Sequence, residues 1–176
     1  MQQDLYIERI VQKKKTSAEY LLGFMLVTSA IFLCFAIVIV PIIFGQNVIY
    51  FSGLAVCGIG YLAYRLVNNS NKEYEYSLVN DDMTIDQITA KRKRTTLFQG
   101  SCKDFTMVAP VDSDEYQEAV KASGLFLDFR SGENALSGWF FVTTKSSNRM
   151  LILFEPDDRF IVAFRRYIPR YVKVPK

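Results

Sequence analysis

The densest run of reactive side chains is Lys91-Arg92-Lys93-Arg94, four consecutive cations. Such a cluster can hold phosphate or carboxylate groups, so the ligands to expect are anionic lipid headgroups or an acidic protein partner. Lys13-Lys14-Lys15 forms a second basic run with the same capacity. Each run also has a plainer reading. Lys13 to Lys15 suit the positive flank of a membrane segment, and Lys91 to Arg94 suit a solvated turn that keeps a strand edge from pairing.

Other candidate groups carry less. Asp112, Asp114, Glu115 and Glu118 crowd one short stretch, where a carboxylate pair can act as acid and base; a solvated loop and helix start explain them more simply. Cys102 stands beside Lys103, which lowers a thiol pKa, but it has no histidine partner and reads as a strand-edge cysteine. Trp139-Phe140-Phe141 reads as core, with a peptide-binding face as the sharper alternative. The chain has no histidine and only three cysteines, Cys34, Cys57 and Cys102. Histidine triads, a disulfide framework and a Cys-only zinc site are therefore excluded. No phosphate-binding loop or nucleophile elbow occurs. The expectation is a non-enzyme with no catalytic residue, cofactor or metal. The net charge of +3 argues against nucleic acid as a partner.

Two kinds of element must position these groups. Glu19 and Arg65 are consecutive charged residues. The stretch between them is about twice the roughly 20 residues that one membrane helix needs. We read residues 20–67 as a transmembrane helical hairpin, Tyr20 to Phe44 and Val48 to Val67, turning at Pro41, Gly45, Gln46 and Asn47. Arg9 and Lys13 to Lys15 precede it, and Arg65 and Lys72 follow it. That distribution predicts a multi-pass protein of the cell membrane with both termini cytoplasmic. Gly23, Ala30 and Cys34 on the first helix, and Gly53, Cys57 and Gly60 on the second, form small faces. These suit packing within the hairpin more than a homo-oligomer. Residues 1–19 form a cytoplasmic segment, in which Leu5, Ile7, Ile10 and Val11 fit a short interfacial helix.

Residues 73–176 read as a cytoplasmic domain of seven strands: 74–79, 83–90, 95–99, 104–109, 125–129, 138–144 and 149–154. Residues 114–121 fit a helix capped by Asp112 or Ser113. A last helix starts at Asp157-Asp158 and ends near Ile168, with Phe160, Phe164, Tyr167, Ile168 and Tyr171 on one face. Strands joined mostly as hairpins, then an amphipathic helix, resemble an α+β, mostly β, pleckstrin-homology (PH)-like barrel, partly open and plugged by the helix.

Glu73-Tyr74-Glu75-Tyr76 and Ile85-Asp86-Gln87-Ile88-Thr89-Ala90-Lys91-Arg92-Lys93-Arg94, with Tyr6, Glu8, Lys13 to Lys15 and Ala109-Pro110, resemble an uncharacterised clostridial-type family of small membrane proteins. They are also similar to membrane-anchored bacterial PH-domain proteins. Thr84 and Thr95 depart from that family's pattern, and the family brings no catalytic residue. In eukaryotic PH domains the phosphoinositide site uses the first hairpin loop, which falls on Asn80-Asp81-Asp82; this loop is acidic, so phosphoinositide specificity is not expected. The resulting expectation is an integral membrane protein presenting a PH-like binding or scaffolding domain to the lipid bilayer, anionic headgroups and a protein partner. The alternatives are an accessory subunit of a membrane transporter or complex, or an enzyme using the 112–118 carboxylates.

Overall fold

The structure, a computed structural model, describes residues 5–43, 49–132, 138–145 and 148–173. The expected turn at Gly45, Gln46 and Asn47 lies outside those residues. The chain divides into two units, one of Met1–Lys14 with Lys72–Lys176, the other of Lys15–Asn71.

The second unit is helical. Helix α1 spans Ser17–Ile43 and α2 spans Ile49–Asn69. A capping arrangement starts α1: the Thr16 N–H donates to Glu19 Oε2 at 2.9 Å, and the Thr16 carbonyl accepts from Tyr20 N. The N–H of Thr16 at the helix start is thereby satisfied, and its carbonyl accepts the first intrahelical bond. Pro41, expected to turn the chain, lies inside α1. The Thr28 and Ser29 hydroxyls donate back to the Phe24 and Leu26 carbonyls, which removes their polarity from an apolar surface. Helices α1 and α2 pack together along a groove lined by Ala30, Cys34 and Gly60 among larger side chains.

The predicted transmembrane hairpin is not upheld. Among the described residues, only α1 is long and apolar enough to cross a membrane. Helix α2 has no acidic residue, but lack of charge is not hydropathy: it carries Ser52, Gly53, Gly58, Gly60, Arg65, Asn68 and Asn69. The multi-pass topology falls with the hairpin.

The first unit is mostly β. Its strands are β1 Tyr6–Gln12, β2 Lys72–Val79, β3 Asp82–Thr89, β4 Lys93–Ser101, β5 Phe105–Pro110, β6 Leu125–Asp128, β7 Trp139–Lys145 and β8 Asn148–Phe154. Its helices are α3 Asp114–Ala122 and α4 Asp158–Tyr167. Sheet A has the order β1-β2-β3-β4, all antiparallel. Sheet B has the order β5-β7-β8-β6, with β6 parallel to β8. The seven predicted strands are all present. The eighth, β1, occupies the residues read as an interfacial helix and pairs with β2 from Tyr6↔Val79 to Gln12↔Glu73. The described residues thus form two four-stranded sheets with four α-helices, in place of one bent seven-stranded barrel.

Period-two alternation builds the core. Ile7 and Val11, Tyr74, Tyr76 and Leu78, Met83 and Ile85, and Phe98 turn inward from sheet A. Phe105, Phe141, Ile152 and Phe154 meet them from sheet B. Asp157 caps α4, its carboxylate accepting from Arg159 N and Phe160 N. Burial works to raise its pKa, but the hydrogen bonds and the Arg159 guanidinium outweigh that and hold it low. Phe160, Phe164 and Ile168 are buried as expected, whereas Tyr171 is exposed.

One close approach requires glycine. A Cβ at Gly138 would sit 2.9 Å from Arg130 Cδ and 3.2 Å from Val111 Cγ2. Arg130 cannot easily yield, because Nε and Nη2 both grip Asp128, at 3.0 and 2.7 Å. Gly138→Ala is expected to cost about 1–3 kcal/mol through overpacking, read as a lower urea midpoint at unchanged slope.

Candidate functional site at the basic end of sheet A

Register brings the two basic runs together. Lys13 N donates to the Lys72 carbonyl, Lys72 pairs with Thr89, and Thr89 pairs with Lys93. Lys13, Lys72 and Lys93 therefore stand at one end of sheet A, in line with β1, β2 and β4, so that about 14 Å separates the backbone at Lys13 from that at Lys93 across three strand spacings. The β3–β4 turn at that end adds Lys91 and Arg92, both exposed. The chain also leaves for the helical unit there, through Lys14 and Lys15, and returns there at Lys72. Among the described residues, Lys13, Lys14, Lys72, Lys91, Arg92 and Lys93 form no ion pair. Lys15 lies over the Tyr20 ring, 5.9 Å from its centroid.

Arg94 differs from its neighbours. Its Nη2 donates to Glu75 Oε2 at 2.5 Å, and its Nε lies 3.9 Å from Asp86 Oδ2. Glu75 and Asp86 are register partners on β2 and β3, facing away from the core, yet only 5% and 8% exposed. Arg94 is thus engaged, and the four cations of the run are not equivalent. Burial raises the Glu75 pKa, with Arg94 pulling it down and Glu8 and Asp86 pushing it up. The raised folded-state value fixes the sign of linkage: Glu75 favours the fold most below its ordinary carboxylate range, and that contribution is lost as pH rises through the raised value. Arg94→Gln leaves both carboxylates without a cation. Because the Arg94 side chain is 58% exposed, the expected loss is about 1–2 kcal/mol at pH 7.5, below that of a fully buried pair. The loss shrinks as pH falls toward 5, which urea titrations across that range would show.

The far end of sheet A is occupied by its own contacts. Asp81 Oδ2 takes Lys103 Nζ at 2.9 Å and the Ser101 hydroxyl at 2.9 Å, which hold its carboxyl below the usual range. Asn80-Asp81 turns β2 into β3 and so lies in the first hairpin loop along the chain, as expected; β1 and β2 pair antiparallel but are joined only through the helical unit.

The whole arrangement can be matched to known proteins. Residues 3–174 match the family model described as Bacterial PH-like domain (DUF6106). The chain belongs to this bacterial PH-like family. No curated protein and no solved structure matches it. Membership establishes the PH-like fold that the element order implied, and it assigns no activity.

The remaining candidates of this PH-like chain have structural places. Cys102 is buried, and burial pushes its thiol up to about 12, which removes thiolate reactivity at neutral pH. Trp139 is half-buried and packs against the core. Asp112 precedes α3, whose first turn holds Asp114 and Glu115 and whose exposed side holds Glu118. Ser113 caps α3 in position but without a side-chain hydrogen bond. Among the described residues, no group of three or more acidic or cysteine side chains is arranged to hold a metal. The distinct role of Arg94 had no signal in the run itself, because it depends on the pairing register of three strands.

Proposed function

We propose that the chain is a membrane-associated protein whose PH-like domain is held at the bilayer through α1 and reads anionic lipid headgroups with the basic end of sheet A. The observation that carries this reading is the coincidence of Lys13, Lys72, Lys91, Arg92 and Lys93 with the point where the chain departs toward its most apolar helix. Each cation near an anionic surface contributes about 1 kcal/mol. In this role the domain is a binding and scaffolding module, presented beside the membrane to further partners.

The test uses the full chain in nonionic detergent, with Lys91, Arg92 and Lys93 changed to Ser and Arg94 kept, since Arg94 covers buried carboxylates. Phosphatidylglycerol affinity is expected to fall about 100-fold at low salt, the equivalent of three lost cations. The difference shrinks at high salt. Equal affinity of the two proteins for phosphatidylglycerol would remove the basic end from lipid binding.

A further inference from the structure

Sheet A carries a charge imbalance on its outer face. Glu75 and Asp86 offer two carboxylates at facing register positions, and one guanidinium serves both. Asp86 Oδ1 is buried and has no hydrogen-bond partner. A buried acceptor without a donor is costly, and like charges on adjacent strands oppose joint ionisation. Facing cross-strand side chains have Cβ atoms about 4.5–5.5 Å apart. A proton on Glu75 therefore has a ready acceptor in Asp86 Oδ1.

The neighbouring groups do not correct the imbalance. From β1, Glu8 adds negative charge and takes the Tyr6 hydroxyl. From β2, Glu73 takes Gln12 Nε2. From β4, Thr96 faces Asp86 and brings no charge. Among the described residues, Arg94 is the one cation in contact with the pair, and more than half of its side chain is in solvent, next to Lys91, Arg92 and Lys93.

We infer that Arg94 is a proton-controlled latch: it grips Glu75 and Asp86 while Glu75 is ionised, and joins the basic turn on an anionic headgroup when Glu75 takes up a proton. This rests on the lipid reading above. The proton on Glu75 replaces Arg94 as the partner of the pair and satisfies Asp86 Oδ1. The freed guanidinium adds one more cation to the headgroup site. Mild acidification then strengthens lipid binding in a chain with no histidine.

The experiment titrates the full chain in nonionic detergent with dihexanoyl-phosphatidylglycerol, against dihexanoyl-phosphatidylcholine, at pH 7.5 and 5.5. The phosphodiester keeps its charge across this range, so any pH dependence belongs to the protein. One added cation tightens phosphatidylglycerol binding about fivefold at pH 5.5. Glu75→Gln, whose amide supplies a donor for Asp86, is expected to bind that tightly already at pH 7.5 and to show no pH dependence. A wild-type preference for phosphatidylglycerol with no pH slope, or a slope that survives Glu75→Gln, overturns the latch and leaves the lipid reading standing. No preference for phosphatidylglycerol at either pH overturns both. A second measurement covers a variant that fails to fold. The Glu75 carboxyl resonance of the wild-type chain must titrate at higher pH when phosphatidylglycerol is present, since linkage is reciprocal; an unmoved midpoint overturns the latch.

Discussion

A chain cut to residues 73–176 will fail to fold cooperatively, although those residues look like a complete soluble domain. They lack β1, which supplies Ile7 and Val11 to the core and the pairing partner of β2. Two buried aliphatic side chains contribute roughly 3–6 kcal/mol together. A domain's whole stability is about 5–15 kcal/mol. The cut also removes both hydrogen bonds that tie Leu5 to Asn80, at 2.7 and 3.1 Å, and strips the edge of β2. Rejoining residues 5–13 to 72–176 through an Asn-Gly turn should restore a single urea transition, because the two strand ends already pair where Lys13 meets Lys72. Circular dichroism and urea titration of the two fragments make the comparison. Equal cooperative unfolding of both would show β1 to be dispensable.

Phe164→Ala is expected to cost about 3–5 kcal/mol, the range for emptying a large aromatic site in a core. The Phe164 ring is fully buried and lies 5.9 Å from the Phe105 ring, 6.2 Å from Phe154 and 6.2 Å from Phe160. It therefore joins α4 to two strands of sheet B, β8 through Phe154 and β5 through Phe105, and its loss leaves a cavity that three fixed rings cannot fill. Val162 on the same helix is exposed, and Val162→Ala should stay within about 0.5 kcal/mol. The pair of variants separates core packing from helix propensity. A Phe164→Ala midpoint close to that of Val162→Ala would mean that α4 is not docked through its aromatic face.

The strands β2 to β8 and helix α4 were legible because their signals are local. Tyr74, Tyr76 and Leu78 alternate, turn formers separate the runs, and Asp157 marks a helix start. The strand β1 was not, for two physical reasons. Its seven residues are too few to separate a period of two from a helical one. Its partner also lies far along the chain, with Gln12 and Glu73 61 positions apart. The hairpin reading failed at α2, where a charge-free run was equated with an apolar one. The exposure of Lys91, Arg92 and Lys93 was legible because it follows from their charge. Arg94 looked the same until pairing set it over Glu75 and Asp86.

The β3–β4 turn has a bearing on how this protein tolerates change. Ala90 and Lys91 both hold left-handed backbone, φ 53° and 55°, and Arg92 N closes the turn on the Thr89 carbonyl at 3.1 Å. That geometry favours Asn-Gly, and each non-glycine residue there gives up on the order of 1 kcal/mol. Lys91→Gly would relax the backbone and remove a cation in the same step. A gain in stability alone favours glycine here, whereas a use of the charge in ligand capture favours lysine. The turn is thus a position where directed evolution for heat resistance and for ligand capture should pull in opposite directions.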